Sequence, residues 1–273
     1  MQHEFKLSFI GGGNMATALI GGLASQPGLV AQIHVVDPNP DALHRLARQF
    51  GVTTSMQFDT ALAVSDVIVL AVKPQQMHEV ATRLVPLLSR QLLISIAAGI
   101  RSVDLSRWMN GHAAIVRCMP NTPALIAQGV TGMFATAGVS QAQRAMADAI
   151  LFAVGTTVWL DDETLIDAVT AVSGSGPAYV FYFIEAMQQA GQELGLTADQ
   201  SRTLALATFT GAAQLAAQSP DQVEVLRERV TSKGGTTEAA LASMQAGGVK
   251  EAIVAAIKLA SMRSKVLGEQ FGG

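Results

Sequence analysis

From residue 5 to residue 160 the chain alternates short apolar runs with longer stretches in which apolar residues recur every three or four positions. The runs at 5–10, 33–36, 67–72, 92–97, 114–117 and 156–160 predict strands. The periodic stretches between most of them, at 15–24, 41–50, 75–88, 103–108 and 141–152, predict helices. Strands alternating with helices of this length build right-handed βαβ units, so a parallel sheet is expected. After Leu160 the strand pattern stops, and 162–192, 198–218, 221–231, 236–246 and 249–268 read as helices separated by Gly, Pro, Ser and Thr. This is a two-domain plan, 1–161 and 162–273, with its boundary near Asp161–Glu163.

The helical half carries apolar residues around most of the circumference at 168–186 and 204–217. Helices of that kind must be buried on nearly all sides. So small a domain has too little interior for that, which implies burial against a second subunit.

Composition narrows the classes. The 273 residues are 49% hydrophobic and 14% charged with a formal net charge of −3, which excludes disorder. It also gives no electrostatic footprint for nucleic acid or an anionic membrane. The single cysteine, Cys118, excludes an internal disulfide and a cysteine-based zinc site. Cys118 reads as a small apolar filler. The histidines His3, His34, His44, His78 and His112 are scattered without ligand spacing, so no metal is expected and all five read as surface or packing residues. The apolar stretch 7–24 is broken by Gly11-Gly12-Gly13-Asn14, which argues against a signal peptide, and no transmembrane run follows. A cytoplasmic location is the expectation.

Gly11-Gly12-Gly13-Asn14-Met15-Ala16 follows the first predicted strand and fits G-x-G-x-x-(G/A). Gly11 suits the tight turn, Gly13 close approach to a pyrophosphate, and Ala16 close helix–strand packing. A helix starting near Asn14 would aim free N–H groups and a positive dipole end at that phosphate. Asp37 closes the second predicted strand, where an acid binds the ribose 2′-hydroxyl and favours NAD over NADP. Asp37-Pro38-Asn39-Pro40 is also a turn sequence in which Asp37 would cap the next helix, so the cofactor preference stays open.

Further motifs stand at predicted strand ends: Ala71-Val72-Lys73-Pro74, Ala97-Ala98-Gly99 and Arg117-Cys118-Met119-Pro120-Asn121-Thr122-Pro123. With Asp167-Ala168-Val169-Thr170, Ser173-Gly174-Ser175-Gly176-Pro177-Ala178-Tyr179 and Gly234-Gly235-Thr236-Thr237, the chain resembles the pyrroline-5-carboxylate reductases over nearly its whole length. The resemblance implies a Rossmann-type α/β dinucleotide-binding domain followed by an all-α dimerisation domain. It implies NADPH or NADH on Gly11–Ala16, on Asp37, Pro38 and Asn39, on Ala71–Pro74 and on Ala97–Gly99. It places the substrate carboxylate on backbone amides of Gly235–Thr237, with Gly234 in the same loop and the Thr237 hydroxyl at the ring nitrogen. Ser175, in the segment Ser173–Gly176, would approach cofactor and substrate, and Glu163 the substrate from the partner side. Relatives of this family form homodimers with intertwined helical domains, commonly assembled into decamers.

The chain departs from the family at Lys233, where relatives often carry proline, and at Glu228-Arg229, in place of an Asp/Asn pair. Reducing a cyclic imine needs little acid–base machinery, because the ring nitrogen enters protonated. Related hydroxyacid dehydrogenases place a lysine where this chain has Val180, which cannot shuttle a proton; an imine is therefore favoured over an alcohol or ketone. The Gly234–Thr237 segment also reads as a helix N-cap, and Ser173–Pro177 as a kink with tight packing. Two rivals remain: a reductase for another cyclic imine, and a nucleotide-binding sensor with a dimerising tail.

Overall fold

The computed structural model describes residues 4–26 and 28–272. Eight strands, β1 (Phe5–Ile10), β2 (Val30–Val36), β3 (Thr53–Ser55), β4 (Val67–Leu70), β5 (Leu92–Ser95), β6 (Ile115–Met119), β7 (Gly129–Ala135) and β8 (Gly155–Trp159), form one sheet in the order β3-β2-β1-β4-β5-β6-β7-β8. From β3 to β6 neighbouring strands are parallel. The expected parallel sheet is present from β3 to β6 and is corrected beyond β6: β7 pairs antiparallel with it, and β8 lies parallel to β7. The cause is the link. Only one 3-10 turn (Thr122–Ile126) lies between Met119 and Gly129, whereas parallel neighbours need a crossover of about a dozen residues or more.

Between the strands run α1 (Asn14–Ala24), α2 (Pro40–Phe50), α3 (Thr60–Ala63), α4 (Pro74–Leu84), α5 (Ser102–Trp108) and α6 (Gln141–Phe152). β4 and β5 are buried at every residue, because helices cover both faces of the sheet. Alternation along each strand divides the core in two. Leu7, Phe9, Val67, Val69, Leu92 and Ile94 join one cluster, while Ile10, Ile68, Leu70 and Leu93 join the other.

After β8 come α7 (Leu165–Val169), a π-turn (Thr170–Gly174), α8 (Gly176–Glu193), α9 (Ala198–Gln218), α10 (Val223–Arg229), α11 (Thr236–Ala246) and α12 (Val249–Gly272). The continuous helix expected over 162–192 is therefore interrupted. The chain forms two compact units, Met1–Ser175 with Ala260–Gly273, and Gly176–Leu259. The last turns of α12 belong to the first unit, where Ser264 donates to Asp167 Oδ1 at 2.7 Å and Gly272 accepts from Arg107. Asp104, 1% exposed, lies between Arg101 at 2.7 Å and Arg107 at 3.1 Å.

In the second unit α8 packs on α9, and Gly191 allows it: a Cβ there would stand 2.7 Å from the Ser201 Oγ and 3.1 Å from the Ser201 Cβ. Within one chain this unit buries little. On α8 only Ile184 is buried and on α9 only Ser201 and Ala205, while Phe181, Tyr182, Leu204 and Leu215 are all more than half exposed. Among the described residues no helix is long and apolar enough to cross a membrane.

Candidate functional site

The glycine loop joins β1 to α1 at the point where the sheet order reverses between β1 and β4, which is where open α/β sheets bind ligands. Gly11 has φ +102°, and a Cβ on it would lie 2.6 Å from the Ala71 carbonyl oxygen, so glycine is required by conformation and by space. Gly13, the N-cap of α1, differs: a Cβ there would meet no atom of the described residues within 4 Å, which leaves open room for a ligand. That cap has no side-chain hydrogen bond, and the first turn holds no acidic residue. The amides of Asn14, Met15 and Ala16 thus carry the positive end of the helix with no acidic side chain of the first turn opposing a phosphate.

Asp37, at the end of β2, accepts from Gly12 N–H at 2.7 Å through Oδ2 and from Asn39 N–H at 2.8 Å through Oδ1. It is not the cap of α2. That position is held by Asn39, which accepts from Asp41 N–H at 3.0 Å, with Pro40 at the first helical position. The Asp37 carboxylate is thereby fixed between the glycine loop and the turn Asp37–Asn39, on the wall of a cleft of about 310 Å³ that also includes Gly11, Gly13, Pro38, Val72 and Lys73. Arg83 lies over the Phe58 ring at 4.9 Å and pairs with Glu79 at 3.3 Å at the far side of the same cleft.

Ala71 and Val72 continue from the carboxyl end of β4, with Ala71 N–H bonded to the Ile10 carbonyl at 2.8 Å. Lys73 is the exposed N-cap of α4 and Pro74 its first residue. Ala97, Ala98 and Gly99 follow β5; Gly99 has φ +74°, and its α-carbon side faces Leu267 of α12 so closely that a Cβ would sit 3.2 Å from the Leu267 Cβ. These segments and the glycine loop are brought to one edge of the sheet. At β6, Asn121 accepts from Val130 N–H at 2.9 Å and donates to the Ser173 carbonyl at 3.1 Å, which places the π-turn over that strand end. Ser175 N–H closes the turn on the Thr170 carbonyl at 2.8 Å. Gly174 packs closely on β6: a Cβ there would approach the Met119 methyl at 2.7 Å. The kink and tight packing read from Ser173–Pro177 are thus present as a π-turn, a form often found at functional sites.

Glu163 accepts from Ser102 N–H at 2.7 Å, Ser102 Oγ at 2.5 Å and Arg117 Nη1 at 3.0 Å. Arg117 is buried, and its Nε has no partner among the described residues. Glu163 and Ser175 lie in the first unit and Gly234–Thr237 in the second. Gly235 is the N-cap of α11 and Thr236 its first residue; the cap carries no side-chain hydrogen bond, so the threonines do not act as the cap. Gly234 has φ +74°, and a Cβ on Gly235 would meet Ser232 Oγ at 2.6 Å. Lys233 is exposed, and Arg229 pairs with Asp221 at 2.5 Å, which gives that departure from the family a local role.

Sequence reasoning missed Ser102, Arg117 and Asn121 as partners of the proposed groups. Arg117 carried a signal: a charged residue inside an apolar strand must be paired when buried. Cys118 is buried, and desolvation pushes its thiol far above the usual range, in keeping with a filler role. His34 is buried beside Thr53, and His78 packs edge-on against Trp108, whereas His3 lies outside the described residues. Among the described residues no group of three or more His, Cys, Asp or Glu stands together to hold a metal ion.

Residues 163–267 match the model of pyrroline-5-carboxylate reductase dimerisation, and residues 6–99 match that of NADP oxidoreductase, coenzyme F420-dependent. The chain is 48% identical over 268 residues to a pyrroline-5-carboxylate reductase of Pseudomonas aeruginosa, covering 98% of each. Among solved structures it resembles a pyrroline-5-carboxylate reductase from Coxiella burnetii, with TM-score 0.91, 38% identity and coverage of 96% of this chain and 98% of that one. A Plasmodium falciparum pyrroline carboxylate reductase with NADP bound gives TM-score 0.86 and 29% identity, over 98% of this chain and 100% of that one.

Proposed function

The chain belongs to the pyrroline-5-carboxylate reductase family, and from that premise we propose how its own residues serve the reaction. It is an NAD(P)H-dependent oxidoreductase that reduces 1-pyrroline-5-carboxylate to L-proline, the last step of proline biosynthesis. The observation that carries the site assignment is a pair of helix starts, α1 and α11, each led by glycines and neither capped by a side chain.

The residues of the first unit fit a dinucleotide. The open space at Gly13 and the uncapped amides of Asn14, Met15 and Ala16 suit a pyrophosphate, with Gly11 and Gly12 shaping the turn. Asp37, with Pro38 and Asn39, would hold the ribose; Ala71, Val72, Lys73 and Pro74, with Ala97, Ala98 and Gly99, would line the rest of the path. The bound cofactor supplies a hydride. The substrate carboxylate belongs at the loop Gly234, Gly235, Thr236 and Thr237, the Thr237 hydroxyl bonds the ring nitrogen, and Ser175 and Glu163 contribute near the substrate. Val180 offers no proton, in keeping with an imine that arrives protonated, so these residues work by orientation and exclusion of water. Orientation of this kind is worth about 7–11 kcal/mol of barrier.

The functional division proposed is 1–161 for the nucleotide and 162–273 for substrate and dimerisation. The exposed apolar residues of α8 and α9 support a homodimer through that half, and dimers of this kind can build a homodecamer. A cytoplasmic location accompanies this reading. Turnover of the five-membered imine compared with its six-membered homologue tests the substrate: preference for the larger ring would overturn it. Sedimentation of the full chain tests assembly, and a monomer at micromolar concentration would overturn the dimer.

A further inference from the structure

Two amides at the head of α11 are already engaged within the chain. Gly234 N–H donates to Glu238 Oε2 at 2.6 Å, and Gly235 N–H donates to the Ser232 carbonyl at 3.0 Å. The first intrahelical bond is made by Ala239 N–H to the Gly235 carbonyl at 3.2 Å. The amides between, those of Thr236, Thr237 and Glu238, have no acceptor among the described residues, as the start of a helix dictates. The glycines therefore serve the turn itself. Gly234 supplies a left-handed φ, and Gly235 lies against Ser232 where no Cβ fits.

We propose that Glu238 is a positioning residue for the substrate: by holding Gly234 N–H it fixes the turn in which the amides of Thr236 and Thr237, and not those of the two glycines, take the substrate carboxylate. This rests on the reading that the loop binds that carboxylate. Glu238 acts through a hydrogen bond that reaches back four residues, and its position in the first turn of α11 suits a negative charge. Its charge opposes a second carboxylate nearby, so the useful property is the acceptor oxygen. A glutamine keeps that oxygen and an alanine removes it.

The test compares four variants of the full-length enzyme by steady-state kinetics with 1-pyrroline-5-carboxylate, alongside the dissociation constant of NADPH. Glu238→Ala should raise KM about tenfold or more, the effect of losing a well-placed hydrogen bond to a charged group, with kcat and NADPH affinity little changed. Glu238→Gln should recover most of that rise. Thr236→Pro removes one open amide at the first helical position, where proline is accepted, and the extended Gly235 (φ −85°, ψ 171°) is compatible with a following proline. Its KM should exceed that of Thr236→Ala, which keeps the amide, by about tenfold.

Equal KM values for Thr236→Pro and Thr236→Ala would overturn the loop as carboxylate site. A clear difference there, combined with an unchanged KM in Glu238→Ala or an equal rise in Glu238→Gln, would overturn the role of Glu238 alone. Should Glu238→Ala fail to fold, the two Thr236 variants and Glu238→Gln leave that contact in place and still decide which amides are used.

Discussion

Replacing Glu163 by alanine separates an anchoring role from a substrate role. Its carboxylate takes Ser102 N–H at 2.7 Å, the Ser102 hydroxyl at 2.5 Å and Arg117 Nη1 at 3.0 Å. The Arg117 side chain is 4% exposed, and its Nε has no partner among the described residues. Removal of Glu163 would leave a buried guanidinium uncompensated, a loss of about 3–5 kcal/mol. At roughly 2–4 °C per kcal/mol for a unit of this size, Tm should fall by about 6–20 °C. The assay is thermal unfolding followed by circular dichroism, with all variants at one protein concentration because assembly shifts Tm. Glu163→Ala combined with Arg117→Met should recover much of the loss, since an apolar pair replaces an orphaned charge. A fall of less than about 2 °C in Glu163→Ala, under the same conversion, would refute the anchoring argument.

Three further outcomes follow from the site. Asp37→Ser removes a carboxylate that opposes a 2′-phosphate, so the ratio of kcat/KM with NADPH to that with NADH should rise about tenfold or more; an unmoved ratio would make Asp37 a turn residue only. Thr237→Val should lower kcat/KM for the imine about ten- to a hundredfold while leaving NADPH affinity unchanged, and unaltered turnover would remove Thr237 from the mechanism. Burial pushes the Cys118 thiol upward, so little thiolate exists near neutral pH. It should resist thiol reagents in the native protein and react once denaturant exposes it, and ready labelling of the native enzyme would contradict its placement.

The strands and helices best read from the sequence are those with a strong period and clear stops. β1 occupies 5–10 and α6 occupies 141–152, as the pattern predicts. β3 went unread because three residues, Thr53–Ser55, carry no period of their own; β2 beside them supplies the pairing. β7 was hidden by Gly129 and Gly132, yet glycine at 132 is what lets Val169 pack, since a Cβ would approach a Val169 methyl at 2.7 Å. The reversal at β7 depends on the length of one link, a tertiary consequence that propensity does not encode. The glycine loop was legible because strand, glycines and helix are adjacent in the chain. The partners of Glu163 and Ser173 were not, because Ser102, Arg117 and Asn121 reach them only through the fold, 61, 46 and 52 positions away. Likewise the acid at 37 was visible, but only the geometry shows Asn39, and not Asp37, capping α2.

The most direct measurement is the loss of absorbance at about 340 nm, where the reduced nicotinamide absorbs, when the purified protein meets 1-pyrroline-5-carboxylate, run in parallel with NADPH and NADH. Oxidation of the nucleotide matched mole for mole by formation of L-proline is expected. A folded protein that binds nucleotide yet oxidises neither form in the presence of this imine would contradict it.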